Sequence, residues 1–196
     1  MRRCKADAER TRVAILDAAE RVFCERGVGQ ATLEQVARAA GVTRGAVYWH
    51  FKDKDDLLCA LHERFRPPQA AMIEAAAQDG HEDPLHLLEM TGAGFLALFE
   101  GDESRQRMYA ILCAPGNPDD RHAAQNEEMF RLLLQLMRQA REKGLLAGDL
   151  SPEEGAVSVM ALMNGLMSEW LRSGRCFGLR EVGGKLMHRH MAALRA

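Results

Sequence analysis

The stretch Gly41-Val42-Thr43-Arg44-Gly45-Ala46-Val47-Tyr48-Trp49-His50-Phe51-Lys52-Asp53-Lys54 decides the fold of the first part of this chain. Gly41 provides a helix stop and Thr43 a helix start, so that one helix ends and the next begins within a few residues. Just upstream, Thr32 and Gln35 have the spacing of a capping box. Two short helices joined by a tight turn are therefore predicted, with Ala46 and Val47 directed towards a core.

Helical patterns continue on both sides of this stretch. Upstream, apolar residues recur at helical spacing from 10 to 26, and Gly27 provides a stop. Downstream, residues 54–66 form a helical segment that Pro67-Pro68 interrupts. Further on, three capping residues each directly precede a proline, at Asp83, Asn117 and Ser151. They predict helices at about 84–100, 118–143 and 152–172, with others near 102–114 and 179–194.

The composition favours an all-α fold. The chain has 196 residues, of which 47% are hydrophobic and 28% charged, enough to form a core. It contains no long alternating run of β-branched residues, so strands have little support. We predict a helix-turn-helix domain at 1–53 and a larger helical domain at 54–196, with 54–66 as the connector helix.

Charge, hydropathy and cysteine content indicate the cellular compartment of the protein. The formal net charge is −2, with an excess of basic residues up to Arg66 and of acidic residues beyond it. No apolar stretch approaches the roughly 20 residues of a membrane span, and the basic start leads into charged sequence rather than a signal core. The five cysteines form no Cys-x-x-Cys pair and are odd in number, which suits a reducing compartment. We expect a cytoplasmic protein with no membrane partner.

The residues that open the second short helix have the chemistry of a DNA major-groove reader. Arg44 can offer a two-pronged hydrogen-bond donor to guanine. Gly45 leaves room for the start of the helix to approach base edges, and Thr43 can donate to a phosphate. The sequence therefore predicts that this helix contacts double-stranded DNA.

Three crowded rings and two lysines follow: Tyr48, Trp49, His50, Lys52 and Lys54. So short a helix cannot bury all three rings, so some of them should face a partner, while the lysines can neutralise phosphates without reading sequence. The alternative is that the aromatic residues fill a small core, and we adopt it for Phe51 alone.

Other classes of function lack a site in the sequence. The chain has no Gly-x-Ser-x-Gly, no phosphate-cradling glycine loop and no Glu-x-x-His pair, so we expect neither an enzyme nor a cofactor. A metal sensor could use His188-x-His190 or the group His81, Glu82, Asp83 and His86, but residues two apart on a helix diverge, and the group lies at a loop. We interpret these histidines as surface residues, and a metal or redox sensor stays an alternative.

Residues 42–54 resemble the TetR family of repressors, and especially its AcrR branch. The resemblance extends over about 10–61, and more loosely, in helix order and length, over the rest. It implies an all-helical homodimer with three DNA-binding helices and a C-terminal ligand-binding domain. By that resemblance the DNA contacts are Thr32, Thr43, Arg44, Gly45, Tyr48, Trp49, His50 and Lys54.

The resemblance also directs attention to the larger domain as a sensor. All methionines except Met1 fall after residue 70, and Met side chains repack around varied apolar guests, although they also fill ordinary cores. If the family arrangement holds, the ligand pocket lies among helices that carry Phe65, Met72, Phe95, Met108, Cys113, Met129, Phe130, Met163 and Trp170.

The last two helices are candidates for the dimer interface, because 157–171 is apolar on more than one face and Gly183-Gly184 permits close approach in the final helix. A twofold dimer would place two recognition helices roughly 34 Å apart on an inverted-repeat operator. We expect a repressor of a multidrug efflux operon, released by apolar or amphipathic small molecules. A repressor of fatty-acid or aromatic-compound metabolism is the alternative.

Overall fold

A computed structural model of the chain describes residues 2–112 and 120–196, with side chains at 6–111 and 126–196. The described residues form ten α-helices and no strand, in agreement with the predicted all-α class. The helices are α1 (Arg2–Arg26), α2 (Leu33–Ala40), α3 (Arg44–His50), α4 (Lys54–Arg64), α5 (Pro68–Asp79), α6 (Pro84–Gly101), α7 (Glu103–Leu112), α8 (Asp120–Glu142), α9 (Pro152–Arg172) and α10 (Gly184–Leu194). A π-helical turn, Leu179–Gly183, leads directly into α10.

Capping residues start the helices as the sequence predicts. The Asp83 carboxylate accepts the His86 N–H at 2.9 Å at the start of α6. At the start of α9, the Ser151 hydroxyl accepts the Glu154 N–H, and the Glu154 carboxylate accepts the Ser151 N–H in return. Pro68 occupies the first turn of α5, as a proline also does in α6 and α9. The Pro67-Pro68 pair therefore starts a helix as well as ending the connector. The predicted start at Asn117-Pro118 lies outside the described residues.

The described chain forms two compact units. The first comprises the residues up to Arg66 together with those of α7 from Ser104 onwards. The predicted boundary after Asp53 assigns α4 to the second domain, whereas Leu57 and Leu61 on α4 are fully buried in the core of the first unit. The boundary therefore lies near Arg66, because α4 buries its apolar face against α1.

The second unit contains α5, α6, α8, α9, the π-helical turn and α10. Its core is lined by Leu85, Leu88, Leu136, Met137, Val159, Met187 and Met191. A Cβ atom at Gly155 would lie 2.9 Å from the Met137 sulfur, so α8 and α9 pack closely at that position. The Arg195 guanidinium binds both carboxylate oxygens of Asp83, at 2.9 and 3.1 Å, and so joins the end of α10 to the start of α6.

None of the described helices combines the length and the apolar character needed to cross a bilayer.

Candidate nucleic-acid interface

The turn between α2 and α3 has the geometry that the sequence predicts. The Thr32 hydroxyl accepts the Gln35 N–H at 3.2 Å, and the Gln35 side chain accepts the Thr32 N–H at 3.0 Å, so the capping box is confirmed. Gly41 adopts a left-handed conformation with φ of 67°, which favours glycine. Thr43 then caps α3 by accepting the Ala46 N–H at 3.1 Å.

Two side chains anchor α3 in the core of the first unit. Val47 is fully buried, and Phe51, directly after the helix, is 2% exposed. The Arg12 guanidinium on α1 lies 5.4 Å from the centre of the Phe51 ring. The prediction that Phe51 belongs to the core is confirmed, and this anchoring determines which face of α3 points outward.

The outward face of α3 presents Arg44, Tyr48 and Trp49. The Trp49 side chain is 73% exposed and Tyr48 is 45% exposed, although large aromatic residues usually avoid water. Arg44 lies over the Tyr48 ring, and its Nη2 donates to the Tyr48 hydroxyl at 3.4 Å. Gly45 is exposed beside them, and a Cβ atom there would meet only the Thr43 hydroxyl, at 3.9 Å. The fold therefore does not require glycine at 45.

His50 differs from its two aromatic neighbours. It is half-buried and makes an edge contact with Trp49, with ring centroids 4.6 Å apart. Burial lowers the pKa of His50, and the positive charge of Arg12 lowers it further. His50 is therefore mostly neutral at pH 7 in the free protein.

Lys54 has a partner set that the sequence does not reveal. Its Nζ donates to three backbone carbonyls in the turn between α1 and α2: Val28 at 2.7 Å, Gly29 at 3.3 Å and Ala31 at 3.3 Å. An ammonium group has three donors, and all three are engaged. Lys52, in contrast, is exposed.

An open cleft of about 350 Å³ lies between α2 and α3. It is lined by Ala31, Thr32, Leu33, Glu34, Arg44, Tyr48, Asp53 and Lys54. The structure thus brings together four of the predicted DNA-contacting residues, Thr32, Arg44, Tyr48 and Lys54, around one concavity. The acidic residues Glu34 and Asp53 also line this cleft.

Comparison with known proteins identifies the chain. The profile of bacterial regulatory proteins of the tetR family matches residues 15–61, and that of the BetI-type transcriptional repressor C-terminal domain matches residues 115–196. The transcriptional repressor BepR of Brucella suis is 39% identical over 100% of this chain and 97% of its own length. The chain belongs to the TetR family.

Solved structures of TetR-family repressors have the same fold over nearly the whole chain. NalD, described as the secondary repressor of the MexAB-OprM multidrug efflux pump in Pseudomonas aeruginosa, is 31% identical, with a TM-score of 0.79 over 96% of this chain and 98% of its own. The complex of SmeT with triclosan is 30% identical, with a TM-score of 0.84 over 95% of this chain and 92% of its own. SmeT is described as the repressor of the Stenotrophomonas maltophilia multidrug efflux pump SmeDEF.

The predicted ligand-binding residues are divided between the two units of this TetR-family chain. Phe65 and Met108 pack in or against the core of the first unit, and Cys113 lies outside the described residues. The others lie in the second unit: Met72, Phe95, Met129, Phe130, Met163 and Trp170. Met72 is 52% exposed, whereas Trp170 is 3% exposed. The role of these nine residues in ligand binding stays a prediction.

Aromatic packing in the second unit centres on Phe99. Its ring centroid lies 6.3 Å from that of Phe95 and 6.0 Å from that of Trp170. The Trp170 indole N–H donates to the Phe177 carbonyl at 2.8 Å. These contacts link α6 to the end of α9 through apolar surface.

Acidic and histidine side chains of the second unit have partners within the chain. Glu100 accepts the backbone N–H groups of Leu179 and Arg180, at 2.6 and 3.3 Å, and so caps the π-helical turn. Glu89 pairs with His188 at 2.8 Å. These contacts join residues 79 to 99 positions apart in the chain, so no sequence pattern reveals them.

Sequence reasoning also missed one ion pair in the first unit. Glu20 on α1 is 5% exposed and binds Arg107 on α7, with 2.8 Å between Oε1 and Nε. The only available signal was an acidic residue at a position of α1 where the helical period predicts an apolar one.

Proposed function

We propose that this chain is a dimeric DNA-binding repressor of a multidrug efflux operon, released from its operator by apolar or amphipathic small molecules. The observation that carries the proposal is the outward face of α3, where Arg44, Tyr48 and Trp49 are exposed on a helix fixed from behind by Val47 and Phe51. The efflux role is supported by NalD and SmeT, whose described targets are multidrug efflux pumps.

The outward face divides by chemistry into two parts. Thr43, Arg44 and Gly45 open α3, and a helix N-terminus with a forked donor and a residue without a side chain suits contact with base edges. Tyr48 and Trp49 lie one turn later and suit contact with the sugar-phosphate backbone. Glycine at 45, which the fold does not require, is consistent with close approach of a base pair.

Thr32, His50 and Lys54 have supporting tasks in this proposal. The hydroxyl of Thr32 caps α2 at the rim of the cleft, where the N-terminus of a helix favours an anion such as phosphate. His50 contributes a neutral hydrogen-bonding group. Lys54 stabilises the turn that precedes α2, and it contributes to DNA binding by maintaining the conformation of that turn.

The dimer interface is proposed on α9, the π-helical turn and α10. These elements expose apolar side chains, of which Val157 is 55%, Val182 38% and Leu186 41% exposed. Of the two glycines that the sequence singles out, Gly183 serves packing within the unit, because a Cβ atom there would lie 2.8 Å from Leu96 Cδ1. A Cβ atom at Gly184 would meet nothing within 4 Å, so Gly184 is the one suited to close approach by a second copy.

Ligand binding is proposed in the second unit, around side chains that border its core. Phe95 is half-buried beside Phe99, and the Met163 sulfur lies 3.6 Å from the position of a Cβ atom at Gly92. Such a lining of aromatic rings and flexible thioethers suits apolar guests of varied shape. Triclosan, the compound in the SmeT complex, is therefore the first probe to test.

The test is a direct measurement of DNA binding and release. Duplexes that bind the purified chain are selected from a random pool, and their affinity is measured by fluorescence anisotropy with and without triclosan and a panel of efflux substrates. We expect an inverted-repeat sequence, one or two dimers per duplex by native mass spectrometry, and weaker binding with ligand. Recovery of no common sequence would refute the repressor. Release by no compound of the panel, with specific binding intact, would refute the efflux role alone.

A further inference from the structure

Helix α7 is part of the DNA-binding unit although it lies far from that unit in sequence. Met108 is 3% and Ile111 6% exposed, and both lie in the core that also contains Ile15, Phe23 and Leu61. The helix thus supports α1 and α4 from within the same apolar core. Only the tertiary structure places α7 in this core, because α5 and α6 separate α4 from α7 in the chain.

Polar contacts fix α7 to both helices that it supports. The Arg105 guanidinium donates to the Phe65 carbonyl, directly after the last residue of α4. Arg107 Nε donates to Glu20 Oε1 on α1 at 2.8 Å, and its Nη2 donates to the Ser104 hydroxyl at 2.7 Å. The exposed fraction of the Glu20 side chain is 6%, against 40% for Arg107. A carboxylate so deeply buried depends on its partner, since water cannot replace the guanidinium.

The N-terminal end of α7 is connected to α6, which belongs to the second unit. Helix α6 ends at Gly101, and α7 begins at Glu103, so that Asp102 alone separates them. One residue before the end of α6, Glu100 holds the N–H groups of Leu179 and Arg180. The end of α6 is therefore anchored in the second unit, and one residue joins it to α7.

We propose that the Glu20–Arg107 ion pair is the contact through which ligand occupancy acts on α1, so that it determines how strongly ligand and operator oppose each other. The proposal rests on the proposed function, because it assumes a ligand that weakens operator binding. Arg107 is a positioning residue that contacts neither DNA nor ligand. Coupling between two sites is a free energy separate from the affinity of each site, and it is reciprocal.

The test compares a double variant with the wild-type dimer. Glu20→Gln combined with Arg107→Met removes both charges, so no unpaired buried charge is created. We expect its operator affinity and its triclosan affinity, measured separately, to stay within about threefold of wild type. The weakening of operator binding by saturating triclosan, which lies at about 5- to 150-fold for typical couplings, should fall below twofold.

A matched control and a conservative variant separate coupling from general damage. Asp17 and Arg64 form another ion pair in the same unit, with 2.6 Å between Arg64 Nη1 and Asp17 Oδ1, and it joins α1 to α4 without α7. Asp17→Asn with Arg64→Met should keep the wild-type coupling. Arg107→Lys, which keeps a positive charge able to reach Glu20, should retain at least part of the wild-type coupling. A double variant of Glu20 and Arg107 that responds to triclosan like wild type would overturn the proposal, as would a loss of operator affinity above tenfold without ligand.

A second readout needs no small molecule, so failure of the proposed ligand response does not obscure the result. Because coupling is reciprocal, operator DNA alone should change the hydrogen exchange of amides in the last two turns of α6 in the wild-type dimer. The double variant should lack this change, and the Asp17 and Arg64 control should retain it. The same change in all three proteins, or none in any of them, would overturn the role of the ion pair. If the exchange differences are present but triclosan does not weaken operator binding, only the proposed class of ligand is contradicted.

Discussion

The guanidinium carbon of Arg44 lies 5.3 Å from the centre of the Tyr48 ring, and the two side chains share a hydrogen bond one turn apart on α3. Tyr48 thereby restricts the rotamers of a long side chain before DNA arrives. A side chain that is already ordered loses less conformational entropy on binding, so the pair prepares Arg44 for base contact.

The first prediction concerns this pair. Arg44→Ala should weaken specific operator binding by about tenfold to a hundredfold and relax discrimination at one base pair of each half-site. Tyr48→Phe, which keeps the ring and removes the hydroxyl, should have a smaller effect on the same base. Arg131→Ala, at an exposed position of α8, serves as the control. Affinity and base preference unchanged in Arg44→Ala would remove Arg44 from the set of reading residues.

The second prediction separates the two lysines that follow α3. Lys54→Met should lower the free energy of unfolding by about 1.5 to 3 kcal/mol, because three backbone carbonyls lose a charged donor. Lys52→Met should leave stability within about 0.5 kcal/mol but reduce the slope of log affinity against log salt by about 0.9 for each phosphate that Lys52 neutralises in wild type. Urea unfolding and salt titration measure the two effects. The reverse pattern would assign the phosphate contact to Lys54.

The third prediction compares two aromatic residues two positions apart. Phe51→Ala should destabilise the fold by about 3 to 5 kcal/mol, because Phe51 is buried in the core of the first unit. Trp49→Ala should change stability by less than about 0.5 kcal/mol, since the ring is 73% exposed, while weakening operator binding. Thermal unfolding and DNA titration of both variants provide the check. Normal DNA affinity in Trp49→Ala would show that this ring has another partner.

The fourth prediction concerns pH and His190 on α10. Burial lowers the pKa of His190, whose ring also hydrogen-bonds with the Ser158 hydroxyl at 3.0 Å. The unfolded chain therefore binds a proton more tightly than the folded one, and His190 should reduce stability as pH falls below about 6.5. The loss of melting temperature between pH 8 and pH 5 should be smaller in His190→Gln than in wild type.

Ser158→Ala is the control for the pH dependence. It removes the hydrogen-bond partner but leaves the half-buried ring, so it should keep the wild-type dependence on pH. An identical decline in wild type and His190→Gln would show that other groups account for the acid sensitivity.

The fifth prediction tests the proposed dimer interface. Leu186→Glu should shift the dimer towards monomer, because it would bury a charge in an apolar interface. Met90→Glu places the same charge at an exposed apolar position of α6, which is 58% exposed, and should leave the dimer intact. Sedimentation velocity at micromolar concentration distinguishes the outcomes. Dissociation by Met90→Glu alone would move the interface to α6.

The sequence by itself determined the caps and the stop around α2 and α3, and the starts of α6 and α9. The capping box at Thr32, the glycine stop at Gly41 and the cap at Thr43 depend on residues only three or four positions apart, so local spacing is enough to predict them. The burial of Phe51 was also predicted from the sequence, as the one aromatic residue of this stretch assigned to the core. The prolines at the starts of α6 and α9 were predicted for the same reason, whereas Pro68 was not, because no capping side chain precedes it.

Only the tertiary structure decided which distant residues meet. It assigned α4 and α7 to the DNA-binding unit, directed Lys54 towards backbone carbonyls and paired buried Glu20 with Arg107. These contacts join residues 23 to 87 positions apart and depend on how apolar faces pack. The sequence shows that a residue is charged, but it does not show whether the partner of that residue is a phosphate, a carbonyl or an opposite charge. The caps of α2 and α3 involve near neighbours in the chain, so they could be predicted from the sequence. The partners of Lys54 and Glu20 could not, because the packing of distant helices selects them.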